Sequence, residues 1–215
     1  MSLKPKFIVV DDHPLYRAGV CALITQELNL ECAGEASDAQ EAMELIERTD
    51  VALAIIDISL KRQSGLDLVH ALKASHPRML MVVLSMHEDS LYGERALKAG
   101  ARGYVMKHQP PQELVAAVRT VLSGGIAVSD GLKNRLFEGM LGGRDGSDPV
   151  RSLSDREFEV FTMIGRGMGA AEIAEQLHLS VKTVNTHQDH IKEKLGIPSA
   201  GELRKYAVDW TSRPR

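Results

Sequence analysis

The chain has 215 residues, of which 44% are hydrophobic and 26% are charged, and its formal net charge is −3 at pH 7. These proportions are typical of an ordinary folded protein and exclude a disordered or fibrous chain. No apolar run reaches the roughly 18 residues that a membrane span requires, and no secretory signal precedes the first apolar strand, so we expect a cytoplasmic protein. Cys21 and Cys32 have neither CxxC nor metal-ligand spacing, which favours packed thiols over a disulfide.

A change of pattern divides the chain into parts. Up to about residue 123, short apolar runs alternate with longer amphipathic segments, whereas from Ser152 onward the apolar spacing is helical throughout. The glycine-rich stretch at 142–149 is typical of a flexible tether. We therefore predict a first domain at 1–125, a linker with one helix near 129–140 at 126–150, and a second domain at 151–215.

The apolar runs of the first part predict a doubly wound α/β fold. Five β-prone runs with helix-length segments between them indicate a parallel sheet with helices on both faces. The third and fourth runs are apolar at almost every position, as expected for strands at the centre of the sheet. The predicted strands are 7–10, 31–36, 51–56, 79–84 and 103–106.

Four predicted strands lead into residues that carry reactive groups. Asp11 and Asp12 follow the first strand, Asp57 the third, Ser85 the fourth and Lys107 the fifth. In doubly wound sheets, functional sites form beyond the carboxyl ends of the strands. Because neighbouring carboxylates destabilise one another unless a cation neutralises them, this arrangement predicts a hard, oxygen-seeking ion such as Mg²⁺.

Phosphoryl transfer to a carboxylate is the chemistry that fits these residues, with Asp57 as the nucleophile. Asp11 and Asp12 would hold Mg²⁺ against the phosphoryl oxygens, while Lys107 and the Ser85 hydroxyl would contact two other oxygens. Any one of these residues alone is explained equally well as a helix cap or a solvated strand end. The set of five is difficult to explain in that way.

Residues 7–123 resemble the receiver domain of two-component response regulators. The resemblance rests on the acidic pair in Phe7–His13, on Ile55-Ile56-Asp57 with Gly65 eight positions later, on Leu84-Ser85 and on Val105-Met106-Lys107. It implies a flavodoxin-like sheet of strand order 2-1-3-4-5 and a phosphorelay in which a sensor histidine kinase supplies the phosphoryl group.

The same resemblance assigns roles to individual residues. It implies that Asp12, Asp57 and the backbone carbonyl of Ser59 bind the metal, and that Asp11 acts mainly through water. It further implies that phosphorylation draws Ser85 inward and that Tyr104 follows it.

Two positions depart from the receiver pattern. Lys61-Arg62 occupy the loop in which receivers usually have a proline, and Met86 stands where the residue after Ser85 is commonly small. Both positions flank the phosphoryl group. The sequence therefore does not predict how long that group lasts or which kinase supplies it.

The second part has the proportions of a helix-turn-helix. Helices are predicted at 155–166, 170–177, 181–195 and 200–210, with a tight turn through 177–179. The segments Leu153–Glu157, Glu172-Ile173-Ala174 and Ser180–His187 resemble the luxR-type DNA-binding domain. A receiver followed by this domain is the NarL/FixJ arrangement, which implies double-stranded promoter DNA as a partner and a homodimer when phosphorylated.

The predicted helix at 181–195 would read DNA with one face. Its apolar residues point inward, so its other side would enter a major groove, where three side chains would meet base edges. The expected base contacts are Asn185, Thr186 and Asp189, and the expected phosphate contacts are Lys182, Thr183, His187 and Lys192. Alternatively this is only a solvated face, on which Asp189 pairs with Lys192.

Residues 151–215 have a net charge of only +1, so useful DNA affinity would need two copies side by side.

These features together predict a DNA-binding transcription regulator controlled by phosphorylation of Asp57. Beyond self-phosphorylation from a small phosphodonor with Mg²⁺ and autodephosphorylation, no catalysis is expected. One alternative is a phosphohydrolase with Asp57 as nucleophile, although the Asp-x-Asp of haloacid-dehalogenase-type enzymes is absent from the first strand. Another is a DNA-binding regulator that acts without phosphorylation, which the complete acidic cluster disfavours.

Overall fold

The computed structural model describes residues 4–60, 64–86, 89–142 and 148–212. The chain divides into two compact units, residues 1–138 and 139–215. Lys61, Arg62 and most of the predicted glycine-rich tether, residues 143–147, lie outside the described residues. None of the helices in the described ranges is both long and apolar enough to cross a membrane.

A five-stranded parallel sheet forms the centre of the first unit, in the order β2-β1-β3-β4-β5. This confirms the predicted doubly wound fold and its strand order. The strands are β1 (Lys6–Val10), β2 (Glu31–Ala36), β3 (Leu53–Asp57), β4 (Leu80–Ser85) and β5 (Gly103–Met106). β3 and β4 begin and end one or two residues later than predicted, so that Asp57 and Ser85 are the last residues of their strands.

Helices cover both faces of the sheet. They bury strand side chains that point alternately to one face and to the other. Their bounds are α1 (Pro14–Leu28), α2 (Ala39–Arg48), α3 (Gly65–Ser75), α4 (Asp89–Ala99) and α5 (Pro111–Leu122). Phe7 and Leu53 belong to a core cluster with Ile24 of α1 and Val118 of α5. Every residue of β3 is buried, as predicted for a central strand.

The chain beyond α5 turns back onto the sheet. Gly124 makes this turn with a φ of 87°, a conformation that glycine adopts readily. Ala127 then accepts a hydrogen bond from the backbone N–H of Tyr104 and donates one to the carbonyl of Arg102, both at 2.8 Å. Residues near 127, expected to start the linker, therefore lie against β5. Helix α6 (Asp130–Gly142) follows, close to the helix predicted there.

The second unit is helical, as predicted. A 3-10 turn at Pro149–Ser152, which the sequence did not predict, precedes four helices whose ends agree with prediction to within one residue. Ser154 and Glu157 form a capping box at the start of the first helix, and Ser180 caps the third, which ends at Gly196 with a φ of 66°. The helices are α7 (Asp155–Gly165), α8 (Ala170–Gln176), α9 (Val181–Leu195) and α10 (Ala200–Thr211).

An aromatic cluster holds the second unit together. Phe158 and Phe161 meet the indole of Trp210 edge-on, with ring centroids 5.6 and 5.4 Å away. The indole Nε1 donates to Asp148 Oδ2 at 3.0 Å, which attaches the segment before α7 to helix α10. Edge-on aromatic pairs stabilise a core by more than the burial of their apolar surface alone would. This unit therefore has a core of its own.

Candidate functional site

The predicted reactive residues meet at the carboxyl end of the sheet. Lys107 Nζ lies 2.7 Å from Asp11 Oδ2 and 2.8 Å from Asp57 Oδ2. Asp11 is fully buried, Asp57 is 1% exposed and the Lys107 side chain is 6% exposed. The structure thus joins three strand ends through one ammonium group.

Oxygen donors for a metal ion lie in the same place. One ligand atom from each of Asp11, Asp12, Asp57 and His13 lies within 4.8 Å of the others. Asp57 Oδ1 is buried and has no hydrogen-bond partner in the described part of the chain, so it has a lone pair to offer. Carboxylate oxygens are the donors that Mg²⁺ prefers. The residues present therefore fit the predicted ion.

Two backbone hydrogen bonds of Ile58 anchor the segment that follows Asp57. The N–H of Ile58 donates to the Leu84 carbonyl at 3.0 Å, and the N–H of Gly65 donates to the Ile58 carbonyl at 2.7 Å. A Cβ on Gly65 would lie 1.9 Å from the carbonyl oxygen of Asp57, so only glycine fits at this position. Ser59, whose carbonyl is expected to bind the metal, directly follows this anchored residue Ile58.

Ser85 lies on β4, next to the strand of Asp57, and Tyr104 lies on β5, one strand further out. Ser85 is fully buried at the end of β4, and its carbonyl accepts from the N–H of Lys107 at 2.7 Å. Tyr104 is 4% exposed, so its ring is already buried in this structure. Met86, the departure from the receiver pattern, is 65% exposed.

Burial sets the charge balance of the cluster. It raises the pKa of Asp57 from its ordinary value of 3.8 to about 6, with Asp11 adding to the rise while Lys107 and the Ser59 N–H oppose it. For Lys107, burial favours the neutral form, but Asp57 and Asp11 outweigh it and raise the pKa of the ammonium. The lysine stays charged, and Asp57 accepts a proton more readily than an ordinary aspartate.

Three neighbours of the cluster were not singled out from the sequence. The Tyr16 ring lies 4.8 Å below Lys107 Nζ, Arg17 donates to the Asp11 carbonyl, and His13 Nδ1 lies 2.6 Å from Asp12 Oδ1. All three lie at or next to the start of α1. Their contacts depend on how α1 packs against the sheet, and no motif in the sequence encodes that packing.

Helix α9 presents most of the predicted DNA contacts to solvent. Lys182, Asn185, Thr186 and Asp189 are exposed, whereas Val184 and Ile191 are fully buried. The structure also forms the ion pair considered as the alternative, because Lys192 Nζ lies 2.9 Å from Asp189 Oδ1.

His187 and Thr183, like Lys192, are less exposed than Lys182, Asn185, Thr186 and Asp189. Both are partly buried, and Thr183 Oγ1 lies 2.8 Å from Ser180 Oγ at the helix cap. Burial, with Arg156 and His190 close by, lowers the pKa of His187. Its buried Nδ1 has no hydrogen-bond partner among the described residues. Burial of the His187 ring thus favours its neutral form.

Buried charged residues of α7 fix the orientation of α9. Glu157, 4% exposed, accepts from Lys194 Nζ and from the Ser154 N–H, each at 2.7 Å. Arg156 donates to Glu159 at 2.7 Å and to the Leu177 carbonyl at 3.0 Å, at the turn before α9. The predicted reading helix is thus held at its C-terminal end and at the turn before its start.

A buried aspartate–lysine site on this sheet, followed by a helix-turn-helix unit, defines a response regulator with a DNA-binding domain. Residues 7–119 match the model of the response regulator receiver domain, and residues 151–207 match that of bacterial regulatory proteins of the luxR family. The chain belongs to the response regulators of this type. It is a phosphorylation-controlled transcription regulator rather than a typical enzyme.

Curated relatives share this organisation over nearly their whole length. The oxygen regulatory protein NreC of Staphylococcus carnosus is 34% identical over 209 residues, which cover 94% of this chain and 96% of NreC. NreC of Staphylococcus aureus strain MRSA252 has the same identity and coverage.

Solved structures of response regulators are similar to this chain in fold. A LuxR-family response regulator from Aurantimonas sp. SI85-9A1 is 30% identical, with a TM-score of 0.59 over 64% of this chain and 99% of that one. RcsB from Salmonella enterica serovar Typhimurium, bound to promoter rprA with the phosphomimetic BeF3-, is 26% identical. Its TM-score is 0.62, over 95% of this chain and 98% of RcsB.

The raised pKa of Asp57 predicts how stability depends on pH in metal-free protein. Between about pH 4 and pH 6 the folded state retains a proton that the unfolded state releases, so stability falls as the pH rises through this window. Asp57→Asn has no such proton and should gain about 2–3 kcal/mol over wild type across the window. Urea unfolding in EDTA at several pH values measures the difference.

A variant of an exposed carboxylate, Asp50→Asn, measured in parallel, corrects for the loss of a surface charge. If the difference between wild type and Asp57→Asn stays constant over the whole pH range, Asp57 does not have a raised pKa in the folded protein.

Proposed function

We propose that Asp57 accepts a phosphoryl group from a sensor histidine kinase and that this event changes dimerisation and promoter binding. The observation that carries the proposal is the environment of Asp57: one oxygen is buried without a hydrogen-bond partner in the described residues, and the other lies 2.8 Å from Lys107. In the transfer, a carboxylate oxygen of Asp57 attacks phosphorus. The bond to the donor then breaks, and the donor leaves with the electron pair.

Each residue of the cluster has a role in this transfer. Asp12, Asp57 and the Ser59 carbonyl would hold Mg²⁺, with Asp11 acting through water, and the ion when bound would neutralise charge on the phosphoryl oxygens. Lys107, which lies between two carboxylates, would pair with one phosphoryl oxygen, and the Ser85 hydroxyl would donate to another. The same groups support self-phosphorylation from a small phosphodonor and autodephosphorylation.

The connection to the rest of the chain starts at β5. We assign residues 1–125 to the receiver, 126–150 to the connecting segment and 151–215 to DNA binding. The backbone of Tyr104 is hydrogen-bonded to Ala127. A shift of Ser85 and Tyr104 on phosphorylation would therefore move the start of the connecting segment. This bond supports a mechanical link between the acceptor site and the segment that leads to α6.

The second unit would bind double-stranded promoter DNA as one half of a homodimer, in the bacterial cytoplasm. The RcsB complex with promoter rprA supports DNA as the partner, and a structure of two RcsB dimers on two parallel DNAs supports the dimer. Two copies would also offset the small net charge of residues 151–215, because each copy contributes its own phosphate contacts. The proposed contacts are Lys182, Thr183, Asn185, Thr186, His187, Asp189 and Lys192.

Acetyl phosphate with Mg²⁺ should phosphorylate the protein at Asp57. Intact-mass measurement should show one phosphoryl adduct in wild type and in Asp50→Asn, a matched exposed aspartate, but none in Asp57→Asn. EDTA should prevent the adduct, because the acidic cluster needs the ion to accept further negative charge. An adduct of equal amount in Asp57→Asn would refute the assignment of the acceptor.

Substitutions on α9 should change sequence preference as well as affinity. Asp189→Ala should relax the preference for one base pair per half-site, and Asn185→Ala should weaken an adenine preference, each by about 1–3 kcal/mol of discrimination. Selection of binding sites from randomised half-sites measures both. If Asp189 only pairs with Lys192, its removal will instead tighten binding about equally on every sequence, and that result would exclude a base contact.

A further inference from the structure

Two cysteines from consecutive elements of the first unit lie in contact. Cys21 is on α1 and Cys32 is on β2, and their sulfur atoms are 2.7 Å apart. A disulfide bond is about 2.0 Å long, so only a small approach separates these sulfurs from bonding distance. Zinc–sulfur bonds of about 2.3 Å hold the sulfurs of one site well over 3 Å apart, which makes a bridging zinc ion a poorer fit.

The two thiols differ in access and in acidity. Cys21 is 8% exposed and faces the hydrophobic core, whereas Cys32 is partly exposed on the edge strand of the sheet. The hydrogen bond from Cys21 lowers the pKa of Cys32 to about 7, and the same contact raises the pKa of Cys21. Because thiolates rather than thiols attack oxidants, Cys32 is the sulfur that reacts first.

We propose that Cys21 and Cys32 are a redox modification site, which hydrogen peroxide oxidises to an intramolecular disulfide. The Cys32 thiolate attacks one peroxide oxygen, the O–O bond breaks, and a sulfenic acid forms as hydroxide leaves. Cys21 then attacks the sulfenic sulfur, the S–O bond breaks, and the departing hydroxide takes the Cys21 proton as water. Two thiols and one peroxide thus give one disulfide and two waters.

This disulfide would join two elements that frame the acidic cluster. Cys21 lies one helical turn after Arg17, which donates to the Asp11 carbonyl and to Glu35 Oε2, the latter at 3.0 Å. Glu35 is on β2, as Cys32 is. Oxidation would therefore add a covalent link beside an ion pair that already ties α1 to β2, and would stiffen the support of Asp11.

The test uses the full-length protein, reduced and then treated with stoichiometric hydrogen peroxide. Wild type should lose both free thiols, decrease in mass by about 2 Da, yield a linked Cys21–Cys32 peptide, and recover both thiols with dithiothreitol. The closed loop should also raise the Tm of the oxidised protein above that of the reduced protein.

Single variants test the assigned order of reaction. With glutathione disulfide, Cys21→Ser should form a glutathione adduct at the more exposed Cys32, whereas Cys32→Ser should remain unmodified at the buried Cys21. Two free thiols in wild type after peroxide treatment, or a disulfide only between two chains, would overturn the proposal. Faster labelling of Cys21 than of Cys32 would overturn the assigned order.

Discussion

The fold of the first unit is organised around one buried ion cluster, in which Lys107 lies between Asp11 and Asp57 at 2.7 and 2.8 Å. Burying these groups is costly, and a lone lysine does not balance several carboxylates. The folded backbone offsets this cost by holding the charged groups in place. The strand ends position them, and the backbone of Gly65 packs closely against that of Asp57 and Ile58. The cluster has more carboxylates than its one ammonium group balances, so its charge favours a divalent cation such as Mg²⁺.

A change at this cluster can reach other parts of the first unit because its members lie on neighbouring strands. Ser85 ends β4, Lys107 follows β5, and Tyr104 on β5 is hydrogen-bonded to Ala127 where the chain leaves α5. The second unit, in contrast, has its own aromatic core around Trp210 and its own buried ion pairs at Glu157 and Arg156. We therefore propose that phosphorylation changes the dimerisation of the second unit rather than its fold.

Much of the fold and the grouping of the candidate site residues could be predicted from the sequence, because both depend on local patterns. Strand periodicity fixed the sheet, and strand ends gave Asp11, Asp12, Asp57, Ser85 and Lys107. Contacts that depend on packing between elements were missed: the Tyr16 ring under Lys107, the return of Ala127 to β5, and the approach of Cys21 to Cys32. The half-burial of His187 was missed for the same reason, since helical spacing alone does not show what α7 covers. Which of the α9 residues touch DNA stays a prediction.

We propose that the state of Asp57 controls DNA binding by the same chain. The most direct test is the affinity of full-length protein for a promoter fragment obtained by site selection, measured with and without beryllofluoride and Mg²⁺ at one fixed salt concentration. We expect wild type to bind at least about tenfold more tightly with beryllofluoride, and Asp57→Asn to show no change. Equal affinity of wild type in both conditions, or the same gain in Asp57→Asn, would contradict the account.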